Sequence, residues 1–125
     1  MFTTLAQVAI GGAIGASARY LTSLATTRLV GQGFPWGTLT VNVVGSFLMG
    51  VLVVFLAQKD ATRLAPLLMT GVLGGFTTFS AFSLDALALY ERGQLNLAAF
   101  YVFASVILSL GAIILAMFLV RGIYQ

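Results

Sequence analysis

Residues 74–83 form the part of this chain whose residue types are best suited to binding an ion. They read Gly-Gly-Phe-Thr-Thr-Phe-Ser-Ala-Phe-Ser, inside an uncharged hydrophobic segment that runs from Leu64 to Leu84. Adjacent glycines, threonines and serines weaken a helix, and broken backbone at membrane depth is tolerated only where it is buried in protein or lines a polar path. This run therefore indicates a permeation or ion-binding site.

Phe79 and Phe82 lie three residues apart, so their rings share one face if a helix resumes after the break. A phenyl ring has a negative face and a positive edge. Ring edges can contact an anion without the full positive charge that would bind it too tightly for quick release. Unwinding near Gly75 would also free carbonyl oxygens, which suit a hard cation. The alternatives are apolar packing for the rings, and close packing or a kink for the glycines.

Two further groups of polar residues lie within apolar segments. The amide of Asn42 either forms an interhelical hydrogen bond or donates its NH₂ group to a passing anion, and Ser46 one turn later would extend that donor face. Tyr101, Ser105 and Ser109 recur every four residues on an otherwise apolar segment. This stripe predicts either a polar track or serines that bond back to their own helix.

Arg19 lies in the first apolar segment, where its side chain either reaches the membrane surface or faces an aqueous vestibule that attracts anions. Before it, Gly11 with Gly15 and Gly12 with Ala16 have the spacing that lets helix backbones approach closely, and we interpret these glycines as packing residues. Asp85 lies late in the third apolar segment. The spacing assigns it no role.

The composition is that of an integral membrane protein. The 125 residues are 60% hydrophobic and 7% charged, whereas soluble domains are roughly 25% charged. Four apolar segments, at about 4–28, 36–57, 64–90 and 96–120, are each long enough to cross roughly 30 Å of hydrocarbon. The sequence predicts an all-α membrane protein with one domain, residues 1–125, made of four transmembrane helices of which the third is broken mid-membrane.

Several classes of function are excluded by this composition. Four helices consume the chain and leave no room for a soluble domain or a nucleotide fold, so no enzyme is expected. Cysteine and histidine are absent, which excludes disulfides, thiol chemistry and imidazole proton relays. The net charge of +3 is too small and dispersed to suggest nucleic-acid binding. The expected surroundings are the lipid bilayer.

The loop charges give only a weak signal for orientation. One side carries Lys59, Arg63 and Arg121, and the other carries Arg28 and Arg92. Because Lys/Arg bias in short loops sets orientation, this near balance leaves two alternatives, a fixed topology with weak signals or insertion both ways round. Insertion both ways allows an antiparallel homodimer, whose layout resembles the inverted repeats of transporters.

Three segments together resemble one family. Residues 11–20 read Gly-Gly-Ala-Ile-Gly-Ala-Ser-Ala-Arg-Tyr, residues 37–47 read Gly-Thr-Leu-Thr-Val-Asn-Val-Val-Gly-Ser-Phe, and residues 74–82 read Gly-Gly-Phe-Thr-Thr-Phe-Ser-Ala-Phe. In this order, and over essentially the full length, the chain resembles the Fluc family of fluoride channels, also called CrcB-like proteins. These are small four-helix proteins of bacterial membranes.

The resemblance implies a multi-pass protein of the bacterial cytoplasmic (inner) membrane that forms an antiparallel, dual-topology homodimer. It implies two separate fluoride pathways, each lined by both subunits. Fluoride enters acidified cells as the neutral weak acid and is trapped in the cytoplasm as the anion. A fluoride-selective channel exports it passively and so relieves fluoride toxicity.

The resemblance also implies roles for single residues. Phe79 and Phe82 match the family's phenylalanine box, whose ring edges contact fluoride, and Asn42 matches its pore asparagine. Backbone carbonyls of Gly74 and Thr77 are expected to hold a structural sodium ion (Na⁺) on the two-fold axis. The remaining expected sites are Ser46, Tyr101, Ser105 and Ser109 in the fluoride pathway and Arg19 near the vestibule.

Two other functions fit parts of the sequence. A small proton-coupled multidrug exporter, also built from four helices and sometimes of dual topology, needs a carboxylate deep in the membrane to exchange protons for a cationic substrate. The first segment carries Arg19 instead of an acid, and Asp85 lies late in its helix. A non-transporting scaffold subunit would explain the glycine faces but not Asn42 together with the phenyl pair.

Overall fold

The structure, a computed structural model, describes all residues from Met1 to Gln125 and contains only helices and their connections. Helix α1 spans Phe2–Val30 and α2 spans Trp36–Gln58. After a 3₁₀ turn at Thr62–Leu64, α3 combines the π-helical stretch Pro66–Leu73 with the α-helical turn Gly74–Phe76. Helix α4 spans Phe79–Glu91 and α5 spans Leu95–Ile123. The predicted all-α class is confirmed.

Three segments are long and apolar enough to cross a membrane. They are Trp36–Gln58, Thr62–Glu91, which contains α3 and α4, and Leu95–Ile123. Helix α1 is as long as α5, with 29 residues each, but it is not among these segments. Its sequence is rich in glycine, serine and threonine and contains Arg19 and Arg28, which lower its hydropathy. The membrane crossing of α1 therefore stays a prediction.

The third predicted helix is broken, and the break, predicted near Gly75, lies two residues later, at Thr77 and Thr78. Both threonines are extended, with φ/ψ of −85°/158° and −153°/116°, while Gly74–Phe76 remains α-helical. β-Branched residues fit extended backbone better than helix. In addition, the Thr78 hydroxyl accepts a hydrogen bond from the Ala81 N–H at 3.1 Å and so caps α4. The threonines, and not the glycines, thus occupy the break.

Small residues of α1 let α3 lie directly against its backbone. A Cβ atom on Gly15 would collide with the carbonyl oxygen of Val72, and one on Gly11 would lie 2.8 Å from the Gly71 Cα. Real Cβ atoms do not make contacts as short as either of these. The packing interpretation of Gly11 and Gly15 is therefore confirmed. Gly12 also lies at a close approach, since a Cβ on Gly75 would lie 2.7 Å from the Gly12 carbonyl oxygen, but the Cβ position of Gly12 itself has nothing within 4 Å.

The interior of the chain is small. Helix α2 packs mainly on α5, and α1 packs mainly on α3. One core cluster comprises Phe34, Leu39, Leu89, Ala98 and Tyr101. Only 17 of the 125 residues are buried, and many large apolar side chains are exposed. Apolar exposure on this scale is expected of a surface that contacts lipid or another subunit.

Candidate functional site at the helix break

An open cavity of about 400 Å³ lies between α2, the break after α3, α4 and α5. Among its lining residues are six that the sequence singled out for the fluoride pathway, namely Asn42, Ser46, Phe79, Phe82, Ser105 and Ser109. The break adds Thr77 and Thr78, and the aliphatic and thioether part of the lining comprises Met49, Val106, Leu110 and Ile113. No charged side chain lines the cavity. Neutral donors and phenyl rings from three helices therefore meet in one place.

Asn42 pairs with the backbone of the break. Its Nδ2 donates to the Thr78 carbonyl oxygen at 3.1 Å, and the Thr78 N–H donates to its Oδ1 at 2.8 Å. This is the interhelical hydrogen bond that the sequence left open as one alternative. It satisfies both backbone groups of a residue that has no helical partners, as buried backbone requires. Because the amide NH₂ carries two N–H groups, one is left for a ligand in the cavity.

The rings of Phe79 and Phe82 lie side by side, with centroids 5.5 Å apart and planes inclined at 50°. They share one face, as their spacing predicted. The Phe79 side chain is 77% exposed. Phe82 is half-buried and packs on the Tyr101 ring at 5.2 Å. Phe82 is therefore held by its neighbours, whereas Phe79 lies on the surface of the single chain.

The polar stripe of α5 reaches the cavity at Ser105 and Ser109 but not at Tyr101. Ser105 is buried and its Oγ has no hydrogen-bond partner, so the bond back to its own helix, one of the two alternatives for the stripe, is not formed. A buried hydroxyl without a partner costs roughly 1–3 kcal/mol, which a ligand in the cavity would recover. The Tyr101 hydroxyl instead donates to Oδ2 of Asp85 at 3.1 Å.

Arg19 contacts the helix that precedes the break. Its Nε donates to the Gly75 carbonyl oxygen at 3.0 Å. That carbonyl has no helical donor because α3 ends at Phe76, and the guanidinium replaces it. Neither alternative drawn from the sequence for Arg19 included this bond. Its position near an aqueous vestibule stays a prediction.

The carbonyl oxygens of Gly74 and Thr77 accept no hydrogen bond within the chain. They are free because the break removes the donors that would follow in a continuous helix. Hard cations bind such oxygens, and Gly74 is exposed, so a second subunit can approach it. The two oxygens are therefore of the type that the sodium ion implied by the resemblance would bind, and the ion stays a prediction.

A second cavity, of about 280 Å³, lies beside the loop between α1 and α2. Its lining combines hydroxyl groups with one acid and one base, and it includes Ser23, Thr27, Phe34, Thr38, Asp85 and Arg92. Asp85, to which the sequence assigned no role, thus lies between this cavity and Tyr101.

Thr78 and Phe34 were missed by reasoning from the sequence. The signal for Thr78 was present, since a threonine directly before an apolar helical run is typical of an N-cap. Phe34 carries no such signal. It lies among glycines and a proline between two helices, where no periodic pattern indicates burial.

Residues 6–117 match the family model described as "CrcB-like protein, Camphor Resistance (CrcB)". The chain belongs to the CrcB-like family. Among its CrcB-like relatives, a protein of Cereibacter sphaeroides is 66% identical over 122 residues, which cover 98% of each chain. Its name is fluoride-specific ion channel FluC. The resemblance drawn from three motifs is therefore confirmed.

Two further CrcB-like relatives carry the same name. The protein of Ruegeria sp. is 54% identical over 124 residues, which cover 98% of each chain. The protein of Agrobacterium fabrum is 52% identical over 122 residues, which cover 96% of this chain and 98% of the relative. These CrcB-like proteins are named as ion channels, which agrees with the prediction that the chain is not an enzyme.

Proposed function

We propose that the chain is a fluoride-selective channel that lets fluoride leave the cytoplasm passively. The observation that carries the proposal is the cavity at the helix break, where neutral donors and two phenyl rings converge. It is supported by the 66% identity to a protein named fluoride-specific ion channel FluC. Passive export relieves fluoride toxicity without an ATP site or a residue that exchanges protons.

The lining of the cavity would bind fluoride strongly enough for the ion to enter and weakly enough for it to leave. Fluoride loses hydrating water when it enters the cavity. Hydrogen bonds donated by the second N–H of Asn42 and by the hydroxyls of Ser46 and Ser105 replace those that the water donated. The edges of Phe79 and Phe82 add partial positive charge. None of these groups carries a full charge, so the ion is released quickly.

The proposal includes an antiparallel homodimer with two such pathways, in the inner membrane of a bacterium. The cavity is open in the single chain, and Phe79 at its lining is 77% exposed. A second, inverted subunit would complete the wall. The near balance of loop charges, with three on one side and two on the other, supports insertion in both orientations.

Within this dimer, the carbonyl oxygens of Gly74 and Thr77 from both subunits would hold the structural sodium ion. When bound, the ion supplies a positive charge that joins oxygens of the two chains. The support is that both oxygens are uncommitted and that Gly74 is exposed.

No observation favours the proton-coupled exporter. Such a protein needs an acid in its transport path. Asp85 does not line the cavity at the break. Its Oδ2 accepts a hydrogen bond from the Tyr101 hydroxyl at 3.1 Å.

The test is efflux from liposomes that contain the purified protein, followed with electrodes selective for fluoride and for chloride. We expect fluoride efflux far above that from empty liposomes, and chloride efflux at the empty-liposome level. Fluoride efflux no faster than from empty liposomes would reject the proposal. Rapid efflux of both ions would leave a channel but reject its selectivity.

Orientation and the sodium ion are tested separately. A tag at the C-terminus, labelled from each side of the membrane, is expected to be found on both sides, and finding it on one side alone would contradict the antiparallel homodimer. Replacing all sodium by a large organic cation during purification and assay is expected to lower the stability of the dimer. A dimer equally stable in both buffers would contradict the sodium site.

A further inference from the structure

A series of touching aromatic rings links the α1–α2 loop to the cavity at the helix break. Phe34, in the loop, meets the Tyr101 ring edge-on, with centroids 5.4 Å apart and planes at 89°. Tyr101 meets Phe82 at 5.2 Å, and Phe82 meets Phe79 at 5.5 Å. We call these four residues the ring series. Only its last two members line the cavity.

Phe34 is the one buried residue of the α1–α2 loop. Its side chain is 8% exposed, in the core cluster that also contains Tyr101, whereas residues 31–33 are exposed. Its ring also contacts Trp36 at 4.6 Å and Phe100 at 5.9 Å. The loop is thus attached to the core through an aromatic side chain.

Tyr101 is restrained from several directions. It is fully buried, its hydroxyl is bonded to Asp85, and its ring lies against Phe34 and Phe82. Without the Phe34 ring, space opens beside Tyr101, because close-packed interiors do not refill a lost ring completely. The Tyr101 ring then gains freedom to tilt, and Phe82 loses a defined surface on which to pack.

We propose that Phe34 is a positioning residue for the fluoride pathway, since it holds Tyr101 and, through Tyr101, the orientation of the Phe82 ring. This inference rests on the proposed function. Phe34 does not line the cavity at the break and contacts no permeating ion there. The energy of one aromatic pair corresponds to a factor of about 2 to 10 in the equilibrium between ring orientations.

The test compares Phe34→Leu and Phe34→Met with the unchanged protein in the liposome assay, with efflux normalised to assembled protein measured by size-exclusion chromatography. Both variants keep an apolar side chain but remove the ring. We expect fluoride efflux to fall about two- to tenfold. Phe34→Tyr keeps the ring and should conduct like the unchanged protein. Phe100→Leu is the matched control, because Phe100 contacts Phe34 but is 58% exposed, and it should conduct normally.

A double substitution separates positioning from general loss of structure. If Phe34 acts through Tyr101, then Phe34→Leu should cause no further slowing in a Tyr101→Leu background, because coupled residues are not additive. The near-ultraviolet circular dichroism of the aromatic side chains gives a readout independent of transport. It should weaken in Phe34→Leu and not in Phe100→Leu.

Several results would overturn the inference. One is normal efflux in both Phe34→Leu and Phe34→Met. Another is that Phe34→Leu slows efflux by the same factor in the unchanged protein and in the Tyr101→Leu background. The third is failure of both variants to assemble, which would make Phe34 a folding residue only. Failure of the proposed function is distinguishable from these, because it appears as absence of fluoride efflux from the unchanged protein. In that case the circular dichroism alone decides whether Phe34 holds the other rings.

Discussion

The side-chain amide of Asn42 and the backbone of Thr78 form two hydrogen bonds with each other, of 3.1 and 2.8 Å, across the break in the third helix. Helix α2 thus supplies the bonds that the broken helix cannot make for itself. The same amide lines the cavity at the break. Asn42 therefore stabilises the broken backbone and faces the proposed fluoride pathway at once.

Asn42→Ala should lower both stability and fluoride efflux. It leaves the N–H and the carbonyl of Thr78 unpaired, at a cost of roughly 1–3 kcal/mol for each buried group that stays unsatisfied. The measurement is the melting temperature in detergent, together with efflux. Ser46→Ala is the control for the melting temperature alone, since Ser46 lines the same cavity but does not bond the backbone of Thr78, as Asn42 does. An unchanged melting temperature in Asn42→Ala would show that the amide does not stabilise the break.

Gly15→Ala should destabilise the chain, whereas Gly12→Ala should have little effect. The added methyl at position 15 collides with the Val72 carbonyl oxygen, which belongs to backbone and cannot rotate away, while the one at position 12 meets nothing within 4 Å. Overpacking of this kind costs about 1–3 kcal/mol or more. Thermal melting of the two variants in detergent measures the difference. Equal melting temperatures would contradict the close approach of α1 and α3.

Phe79→Ile and Phe82→Ile should both slow fluoride efflux, because each removes a ring edge from the cavity. They should differ in stability. Both variants lose the Phe79–Phe82 ring pair at 5.5 Å. Phe82→Ile also loses the packing of Phe82 on Tyr101 at 5.2 Å, so it should be the less stable of the two by roughly 1 kcal/mol. Efflux and melting temperature are compared for the two variants with the dimer still assembled. Normal conduction by both would mean that the rings only pack.

Two substitutions of Arg19 separate its bond from its charge. Arg19→Lys and Arg19→Gln both remove the Nε–H that donates to the Gly75 carbonyl at 3.0 Å. Both should lower the free energy of unfolding by roughly 1.5–3 kcal/mol, and the melting temperature should fall accordingly. Only Arg19→Gln removes the charge. If Arg19 also attracts anions in a vestibule, efflux at low ionic strength should fall in Arg19→Gln more than in Arg19→Lys. Equal efflux in the two would leave Arg19 with a structural role alone.

Much of the candidate site could be predicted from the sequence, because its residues lie in short motifs. Phe79 and Phe82 share a face through their spacing, and residues 74–83 indicated a broken helix. The break was predicted near Gly75, and it lies two residues later, at Thr77 and Thr78. Glycine is permissive of both helix and break, so its presence does not decide between them. The nearby Thr78 decides it, through the cap on α4 and the bonds to Asn42.

The amino-acid sequence by itself determined the helical class, the apolar segments and the family, because hydrophobic length and short motifs are local properties of the chain. Only the tertiary structure decided which partner Asn42 bonds, that Arg19 binds the Gly75 carbonyl, that Ser105 stays unpaired in a cavity wall, and that Phe34 reaches Tyr101. The members of each contact lie on different helices or loops. Their meeting depends on how the helices pack, and spacing along one segment cannot report it.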